Sequence, residues 1–274
     1  MINTVLSPLV TACEPRPQAI RSGQEFMRRT NRGKSLAAMS LPGMSSGGAK
    51  PVGTWIFDLD NTLYPASCRL FDQVQVRIRQ YIRTNLGLSE TEALALQKRY
   101  FQEHMTTLRG LIVNDGIDPH GFLDFVHAID LEGLQPNPTL DAAIAALPGR
   151  KVIFTNGSVQ HAERVMARVG IGAHFEAIFD IVASDFVPKP DPGVYRQLCD
   201  QYRIDPTTAV MIDDMPRNLA PAHQLGMTTV LVKTDDEWAG ADVDPTFIHH
   251  VTEDLASFLA PYGTPKTSNL ESKL

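Results

Sequence analysis

The feature that most constrains the fold of this chain is a repeated alternation of short apolar runs and longer segments with helical spacing. Apolar runs that alternate with helices are typical of a parallel sheet covered on both faces. The predicted strands are Thr54–Asp58, Lys151–Thr155, Ala177–Val182, Thr208–Asp213 and Thr228–Val232, and the predicted helices between them are Val159–Val169, Pro192–Tyr202 and Asn218–Leu225. The pattern therefore predicts an α/β fold with a doubly wound, Rossmann-like parallel sheet.

One long segment breaks this alternation. Between the first two predicted strands, Cys68–Leu147 shows helical spacing and contains no convincing strand. Ser89 is followed three residues later by Glu92, a capping-box pattern which indicates that a helix begins there. The segment has 80 residues, far more than an ordinary crossover connection. We therefore expect a helical cap domain inserted after the first strand.

The first fifty residues differ in composition from the α/β region. Ser40–Gly53 is rich in Gly, Ser and Pro, and residues 1–50 carry a net charge of +5, whereas the whole chain carries −6. Such composition is typical of disordered tails and linkers. The predicted organisation is a disordered tail and linker over 1–53, a core over 54–67 and 148–260, a cap over 68–147 and a C-terminal tail over 261–274.

Charge and cysteine content argue against several functional classes. The chain beyond residue 50 carries a net charge of −11, whereas nucleic-acid polymers are held mainly by Lys and Arg. The three cysteines form no CxxC pair, so neither a disulfide framework nor a zinc site is predicted. No apolar run approaches the length of a membrane span, and the N-terminus is a poor secretory signal. We therefore expect a cytoplasmic protein that binds neither membranes nor nucleic-acid polymers.

Polar side chains cluster where the predicted strands end. They are Asp58 and Asp60 after the first strand, Thr155 and Asn156 at the second, Lys189 after the third, and Asp213 and Asp214 at the fourth. Each acid alone could be a turn or helix-capping residue, but the carboxyl ends of parallel strands meet at one edge of a sheet. Four carboxylates and one lysine need further positive charge there, and oxygen ligands favour Mg²⁺.

The motifs DLDNT at Asp58, TNG at Thr155, PKP around Lys189 and DD at Asp213 occur in this order. They resemble the four motifs of the haloacid dehalogenase (HAD) superfamily of hydrolases. The resemblance implies that Asp58 is a nucleophile that forms an aspartyl-phosphate and that Asp60 is the general acid and base. Thr155, Asn156 and Lys189 would bind and neutralise the transferred phosphoryl group.

The resemblance also implies a Mg²⁺ cofactor held by Asp58, the backbone carbonyl of Asp60, and Asp214. In the fourth motif, Asp213 stands where a glycine is more common in the superfamily. Asp213 would then act through a water molecule. The sequence leaves open which of the two adjacent acids contacts the metal directly.

Within the superfamily, an acid at Asp60 favours phosphate ester hydrolysis over dehalogenation, because a departing halide needs no proton. The stretches DLDNTLYP, RYFQEHMTTLRGL, GIDPHGFLDFVH and FTNG resemble the pyrimidine 5'-nucleotidase branch, which implies a nucleoside monophosphate as the small phosphorylated substrate. His104, Thr106 and Thr107 in the cap are then candidates to bind the nucleoside. The alternatives are a phosphatase for a small sugar phosphate or phosphoglycolate and, less favoured, a non-catalytic binding module.

Overall fold

The computed structural model describes residues 51–234 and 245–263, and these contain one parallel sheet of six strands in the order β3-β2-β1-β4-β5-β6. The strands are β1 (Thr54–Phe57), β2 (Arg150–Phe154), β3 (Ala177–Phe179), β4 (Ala209–Asp213), β5 (Thr228–Val232) and β6 (His250–Thr252). The predicted α/β fold with a doubly wound parallel sheet is confirmed. The tails predicted at the two chain ends fall mostly on residues 1–50 and 264–274, which lie outside the described residues.

The helices flank this sheet. They are α1 (Leu70–Leu86), α2 (Glu90–His104), α3 (Thr107–Asp115), α4 (Pro119–Val126), α5 (Pro138–Ala146), α6 (Val159–Val169), α7 (Pro192–Tyr202), α8 (Pro216–Gln224) and α9 (Leu255–Gly263). The first five follow β1 and precede β2, so the long connection between these strands contains helices and, over its described residues, no strand. No helix in the described ranges is long and apolar enough to cross a membrane.

The central strand β1 shows how the sheet is covered. All four of its residues are buried, and successive side chains point to opposite faces. Trp55 and Phe57 belong to an apolar cluster that includes residues of α5, α6 and α9. Ile56 belongs to a second cluster that includes residues of α7 and α8. Burial on both faces explains why the strand is a continuous apolar run.

Helices α1 to α4 pack mainly on one another. The Tyr81 ring of α1 meets the rings of Phe122 and Phe125 of α4, with centroids 5.0 and 5.5 Å apart. At the start of α2, the capping box predicted from Ser89 and Glu92 is confirmed, with both reciprocal hydrogen bonds present. Helix α5 packs instead against α9, beside the sheet.

Some element bounds differ from the sequence prediction. Strand β3 ends at Phe179, because the next residue, Asp180, turns the chain. Its carboxylate accepts hydrogen bonds from the backbone N–H groups of Val159 at 3.0 Å and Ala183 at 2.9 Å. The short strand β6 and the helix α9 were not predicted, and α9 extends to Gly263, past the expected end of the core at residue 260.

Candidate active site

The structure brings polar strand ends together at one edge of the sheet. Asp58 directly follows β1, Thr155 directly follows β2, and Asp213 is the last residue of β4. Because β1 pairs with both β2 and β4, these residues lie at adjacent strand ends. All three are buried. Residues that are far apart in the chain thus form one polar cluster.

Lys189 lies within this cluster, although it is only 1% exposed. Its Nζ donates to Asp58 Oδ1 and Asp213 Oδ2, both at 2.7 Å, and to the backbone carbonyl of Phe154 at 2.9 Å. These bonds use all three hydrogens of the ammonium group. Asn156 holds the lysine in place, since its Oδ1 accepts from the Lys189 backbone N–H at 2.8 Å. The lysine therefore joins two carboxylates from separate strands.

Negative charge exceeds positive charge in this cluster. Asp58, Asp213 and Asp214 each offer a carboxylate oxygen, and these oxygens lie within 4.8 Å of one another. Burial raises the pKa of Asp58 to about 7; Lys189 acts in the opposite direction and Asp213 adds to the rise. Burial also opposes the charge of Lys189, but Asp213 and Asp58 outweigh it and raise the lysine pKa. The three buried carboxylates fit a hard divalent cation such as Mg²⁺.

Asp213 and Asp214 have different surroundings. Asp213 is 0% exposed, and its Oδ2 accepts from Lys189. Its Oδ1 accepts from the Met215 backbone N–H and from Asn218 Nδ2, both at 2.9 Å. These bonds join the end of β4 to the first turn of α8. Asp214 lines the cavity described below, whereas Asp213 is not among the lining residues.

Asp60 lies in a separate hydrogen-bonded group beside the cluster. Its Oδ1 accepts from the Tyr64 hydroxyl at 2.7 Å and lies 2.8 Å from His161 Nε2. Burial alone would raise the pKa of Asp60, but its electrostatic interaction and hydrogen bond with His161, together with the Tyr64 hydroxyl, lower it to about 2. The His161 ring stacks on His127, with centroids 4.3 Å apart. Asp60 is therefore held as a carboxylate.

The turn after β2 provides small polar groups close to the acids. Thr155 Oγ1 accepts from the Gly157 backbone N–H at 2.9 Å. A Cβ at position 157 would lie 3.3 Å from Thr155 Oγ1 and from the His161 ring, which explains why glycine suits this position. On the opposite side, Thr62 Oγ1 donates to Asp58 Oδ2 at 3.0 Å. Both oxygens of Asp58 are thus oriented by protein donors.

A cavity of about 160 Å³ lies between the strand ends and the helices α1, α3 and α4. Its polar side includes six of the predicted site residues: Asp58, Asp60, Thr155, Asn156, Lys189 and Asp214. Its apolar side includes Val74 and Ile78 of α1 and Phe122 and Leu123 of α4. The acids and the lysine therefore share the cavity with apolar side chains of α1 and α4.

The three predicted cap residues have different positions. Thr106 and Thr107 line the cavity, but both hydroxyls also have structural bonds. Thr106 Oγ1 accepts from the Arg109 backbone N–H at 3.2 Å as the N-cap of α3, and Thr107 Oγ1 donates to the Gln97 carbonyl at 3.3 Å. His104 is not among the lining residues, and its Nε2 lies 3.0 Å from Asn114 Nδ2.

The structure adds residues to which the sequence reasoning gave no role. His161 contacts Asp60 from the first turn of α6, and His127 lines the cavity. Arg217, in the first turn of α8, also lines the cavity. Its Nη2 donates to the Met105 carbonyl at 3.1 Å, and its guanidinium lies 4.2 Å over the Phe101 ring. The sequence feature that could have identified His161 and Arg217 is their position one helical turn after the TNG and DD motifs.

Comparison with known proteins finds similar proteins over about two thirds of this chain. The "Phosphate metabolism protein 8" of Saccharomyces cerevisiae is 29% identical over 200 residues, which cover 66% of this chain and 62% of that protein. The chain therefore spans less than two thirds of that relative's length. A "Glyceraldehyde 3-phosphate phosphatase" of Methanopyrus kandleri is 26% identical, with 65% of this chain and 82% of that protein covered.

A solved structure agrees with the fold. The HAD-hydrolase YfnB of Bacillus subtilis, solved bound to magnesium, gives a TM-score of 0.52 at 15% identity and covers 78% of this chain and 99% of that one. The sequence also matches the haloacid dehalogenase-like hydrolase family over residues 52–226, which include every strand-end motif described above. This chain belongs to the haloacid dehalogenase-like hydrolase family.

Proposed function

We propose that this protein is a Mg²⁺-dependent phosphate monoester hydrolase in which Asp58 attacks phosphorus and forms an aspartyl-phosphate. The observation that carries the proposal is the placement of the Asp58 carboxylate. It faces the cavity at the end of β1, its Oδ1 bonded to Lys189 and its Oδ2 to Thr62. A carboxylate that attacks a phosphate dianion needs adjacent positive charge, and Lys189 provides part of it. The name of the archaeal relative, a phosphatase, supports the same reaction class.

Mg²⁺ would be held by the carboxylates of Asp58 and Asp214 and by the backbone carbonyl of Asp60. When bound, the ion supplies charge neutralisation for the phosphoryl oxygens and the attacking carboxylate. We assign Asp214 as the direct ligand, because Asp214 lines the cavity together with Asp58, whereas Asp213 is not among the lining residues. Asp213 would then position Lys189 and the start of α8 and could reach the metal through a water.

Asp60 would donate a proton to the leaving alcohol and later remove one from the attacking water. Its surroundings lower its pKa to about 2, so it must gain its proton when substrate binds. A phosphate dianion in the cavity disfavours the neighbouring carboxylate and raises its pKa, which is the required direction. The presence of this acid supports ester hydrolysis over dehalogenation, because halide leaves without a proton.

The proposed substrate is a nucleoside monophosphate, with a pyrimidine as the base. Thr106 and Thr107 line the cavity, and each hydroxyl would contact the nucleoside in addition to its structural bond. The second candidate is a small sugar phosphate or phosphoglycolate. It is favoured by the cavity volume of about 160 Å³, which is below the roughly 300 Å³ at the lower end of ordinary small-molecule sites. A nucleotide would require the cap to open further.

A screen of phosphate monoesters with purified protein tests the reaction and its substrate together. We expect phosphate release that requires Mg²⁺ and is greatest for pyrimidine nucleoside monophosphates. Greater turnover of triose phosphates or phosphoglycolate would replace the first substrate class with the second. Absence of phosphate release from every ester, with folded protein and Mg²⁺ present, would contradict the proposal and leave a non-catalytic binding module.

A further inference from the structure

The carboxylate of Asp60 has two hydrogen-bond donors on the same oxygen. His161 Nε2 and the Tyr64 hydroxyl both meet Oδ1, at 2.8 and 2.7 Å. Asp60 lines the cavity, whereas His161 is not among the lining residues and its side chain is 0% exposed. His161 therefore contacts Asp60 from the protein side, away from the space that a substrate would fill.

The His161 ring is itself fixed by its neighbours. It stacks almost parallel on the His127 ring, with 4.3 Å between centroids and 12° between planes. His127 Nδ1 lies 2.9 Å from Ser158 Oγ, and Ser158 is the N-cap of the helix that carries His161. A Cβ at Gly157 would lie 3.3 Å from the His161 ring and 3.7 Å from Asp60 Oδ2. The stacking contact and the His127–Ser158 pair thus hold the ring beside Asp60.

Packing alone does not explain a histidine at this position. The ring is wholly buried, and no donor or acceptor partner meets its Nδ1 among the described residues. A buried polar atom without a partner costs free energy, whereas a leucine of similar size would fill the space without that cost. Because ionised Asp60 can only accept, Nε2 carries the hydrogen of the His161 bond. The hydrogen bond from Nε2 to the Asp60 carboxylate therefore best explains a histidine at this position.

We propose that His161 is a positioning residue, which fixes the Asp60 side chain so that Oδ2 faces the oxygen of the leaving alcohol. The inference rests on the proposed phosphatase function. In the first step, the Asp58 oxygen bonds to phosphorus as the bond to the alcohol oxygen breaks, and the proton on Asp60 Oδ2 passes to that oxygen. In the second step, water bonds to phosphorus, the Asp58 carboxylate leaves, and Oδ2 takes the water proton. Oδ1 stays bonded to His161 and Tyr64 throughout.

The test compares two aryl esters of similar shape that differ in their need for a proton. Phenyl phosphate loses a basic phenolate that needs protonation, whereas 4-nitrophenyl phosphate loses an anion that leaves unprotonated. His161→Asn introduces an amide on a side chain that is too short to reach Oδ1, whereas the amide of His161→Gln can reach it. For His161→Asn we expect kcat/KM to fall about 10–100-fold on phenyl phosphate and about 3-fold or less on the nitrophenyl ester, because only the first ester uses the acid. His161→Gln should restore most of the loss.

The matched control is His174→Asn, which breaks a similar bond between His174 Nε2 and Asp141 Oδ1, 2.6 Å long, away from the cavity. It should leave the ratio of the two kcat/KM values unchanged. The ratio does not depend on the fraction of folded protein, and His161→Leu provides a second variant that lacks the donor. An unchanged ratio in His161→Asn and His161→Leu would overturn the positioning role and leave the phosphatase proposal intact. Wild-type protein that hydrolyses neither ester would overturn both.

Discussion

Each ammonium hydrogen of Lys189 is donated to a buried oxygen, and two of these oxygens belong to Asp58 and Asp213. Removal of one partner from a buried ion pair leaves the other charge uncompensated, at a cost of about 3–5 kcal/mol. Lys233 has a comparable bond to Glu253, at 3.0 Å, but both side chains are mostly exposed. Such surface pairs contribute about 0–1 kcal/mol. Burial, more than distance, therefore determines what each lysine contributes.

We predict that Lys189→Met lowers the free energy of unfolding by about 3–5 kcal/mol, because two facing carboxylates lose their shared cation. The matched surface change, Lys233→Met, should lower it by about 0–1 kcal/mol. Urea unfolding of both variants without Mg²⁺ measures the difference. Equal small losses in the two variants would show that the cluster does not depend on the lysine charge.

The raised pKa of Asp58 predicts how stability depends on pH and Mg²⁺. Its unfolded value is 3.8 and its folded value is about 7, so between these the folded protein holds a proton that the unfolded chain has lost. The contribution of this group to stability is therefore greatest at low pH and declines as the pH rises toward 7. Mg²⁺ needs the ionised carboxylate, so binding competes with that proton.

We therefore predict that Mg²⁺ raises the melting temperature more at pH 7.5 than at pH 5.5. Thermal unfolding at both values, with and without the ion, gives the comparison. Asp58→Asn removes the titrating group and should reduce the difference between the two pH values. A larger stabilisation by Mg²⁺ at pH 5.5 would contradict both the direction of the pKa shift and the assignment of Asp58 as a ligand.

Among the elements, the junction of α2 and α3 places Thr106 and Thr107 along the cavity. Thr106 caps α3 through the Arg109 backbone N–H, and Thr107 is bonded to the Gln97 carbonyl. Any substitution here changes both helix stability and the lining of the cavity. An N-cap lost to an apolar residue costs about 1 kcal/mol, and serine is as good a cap as threonine.

We predict that Thr106→Val combined with Thr107→Val reduces kcat/KM for a pyrimidine monophosphate about 3–10-fold more than for 4-nitrophenyl phosphate, as expected for one lost hydrogen bond. Thr106→Ser keeps both the cap and the hydroxyl, so it should leave kcat/KM unchanged for both substrates. Steady-state kinetics on the two esters distinguish the roles. An equal loss of kcat/KM on both esters would show that these threonines have only a structural role.

The elements also show which parts of the fold the sequence can predict. Helix α6 was predicted with its observed bounds from spacing that ends at Gly170. In the structure Ser158 caps its start and Gly170 ends it with φ of 90°. The strands in the sheet centre were found from their apolar runs. Strand β6 has only three residues, none of them buried, so it carries no recognisable pattern. Helix α9 contains Pro261 near its end, which further obscures a helical signal.

At the scale of the whole molecule, sheet topology explains which site residues could be predicted. Asp58, Thr155 and Asp213 end adjacent parallel strands, so their convergence follows from the fold class. His161 is 101 positions from Asp60, and their contact depends on how α6 packs against the sheet. The place of His161 one helical turn after the TNG motif puts it near the site, but no local pattern encodes the contact itself, so no role was predicted for it. The strand-end residues of the site can be predicted from sequence, whereas the contact that a helix residue such as His161 makes with them can be identified only from the structure.

The composition of residues 1–50 leads to a prediction about the whole chain. The segment is basic and rich in Gly, Ser and Pro near its end, and the family match begins after it, at residue 52. We predict that deletion of residues 1–50 changes neither kcat/KM nor the melting temperature appreciably. Activity assays and thermal unfolding of the shortened chain test this. A marked fall in either quantity would indicate that the segment stabilises the core or the site.

The covalent role of Asp58 can be measured directly by acid quenching during turnover, followed by peptide mass spectrometry. We predict phosphate on the peptide that contains Asp58, and a larger trapped fraction in Asp60→Asn, in which water lacks a base to remove its proton. Asp58→Asn should form no covalent phosphoryl adduct and release no phosphate from the ester, while the protein stays folded. Appreciable phosphate release by folded Asp58→Asn, or a phosphorylated peptide that lacks Asp58, would contradict the mechanism.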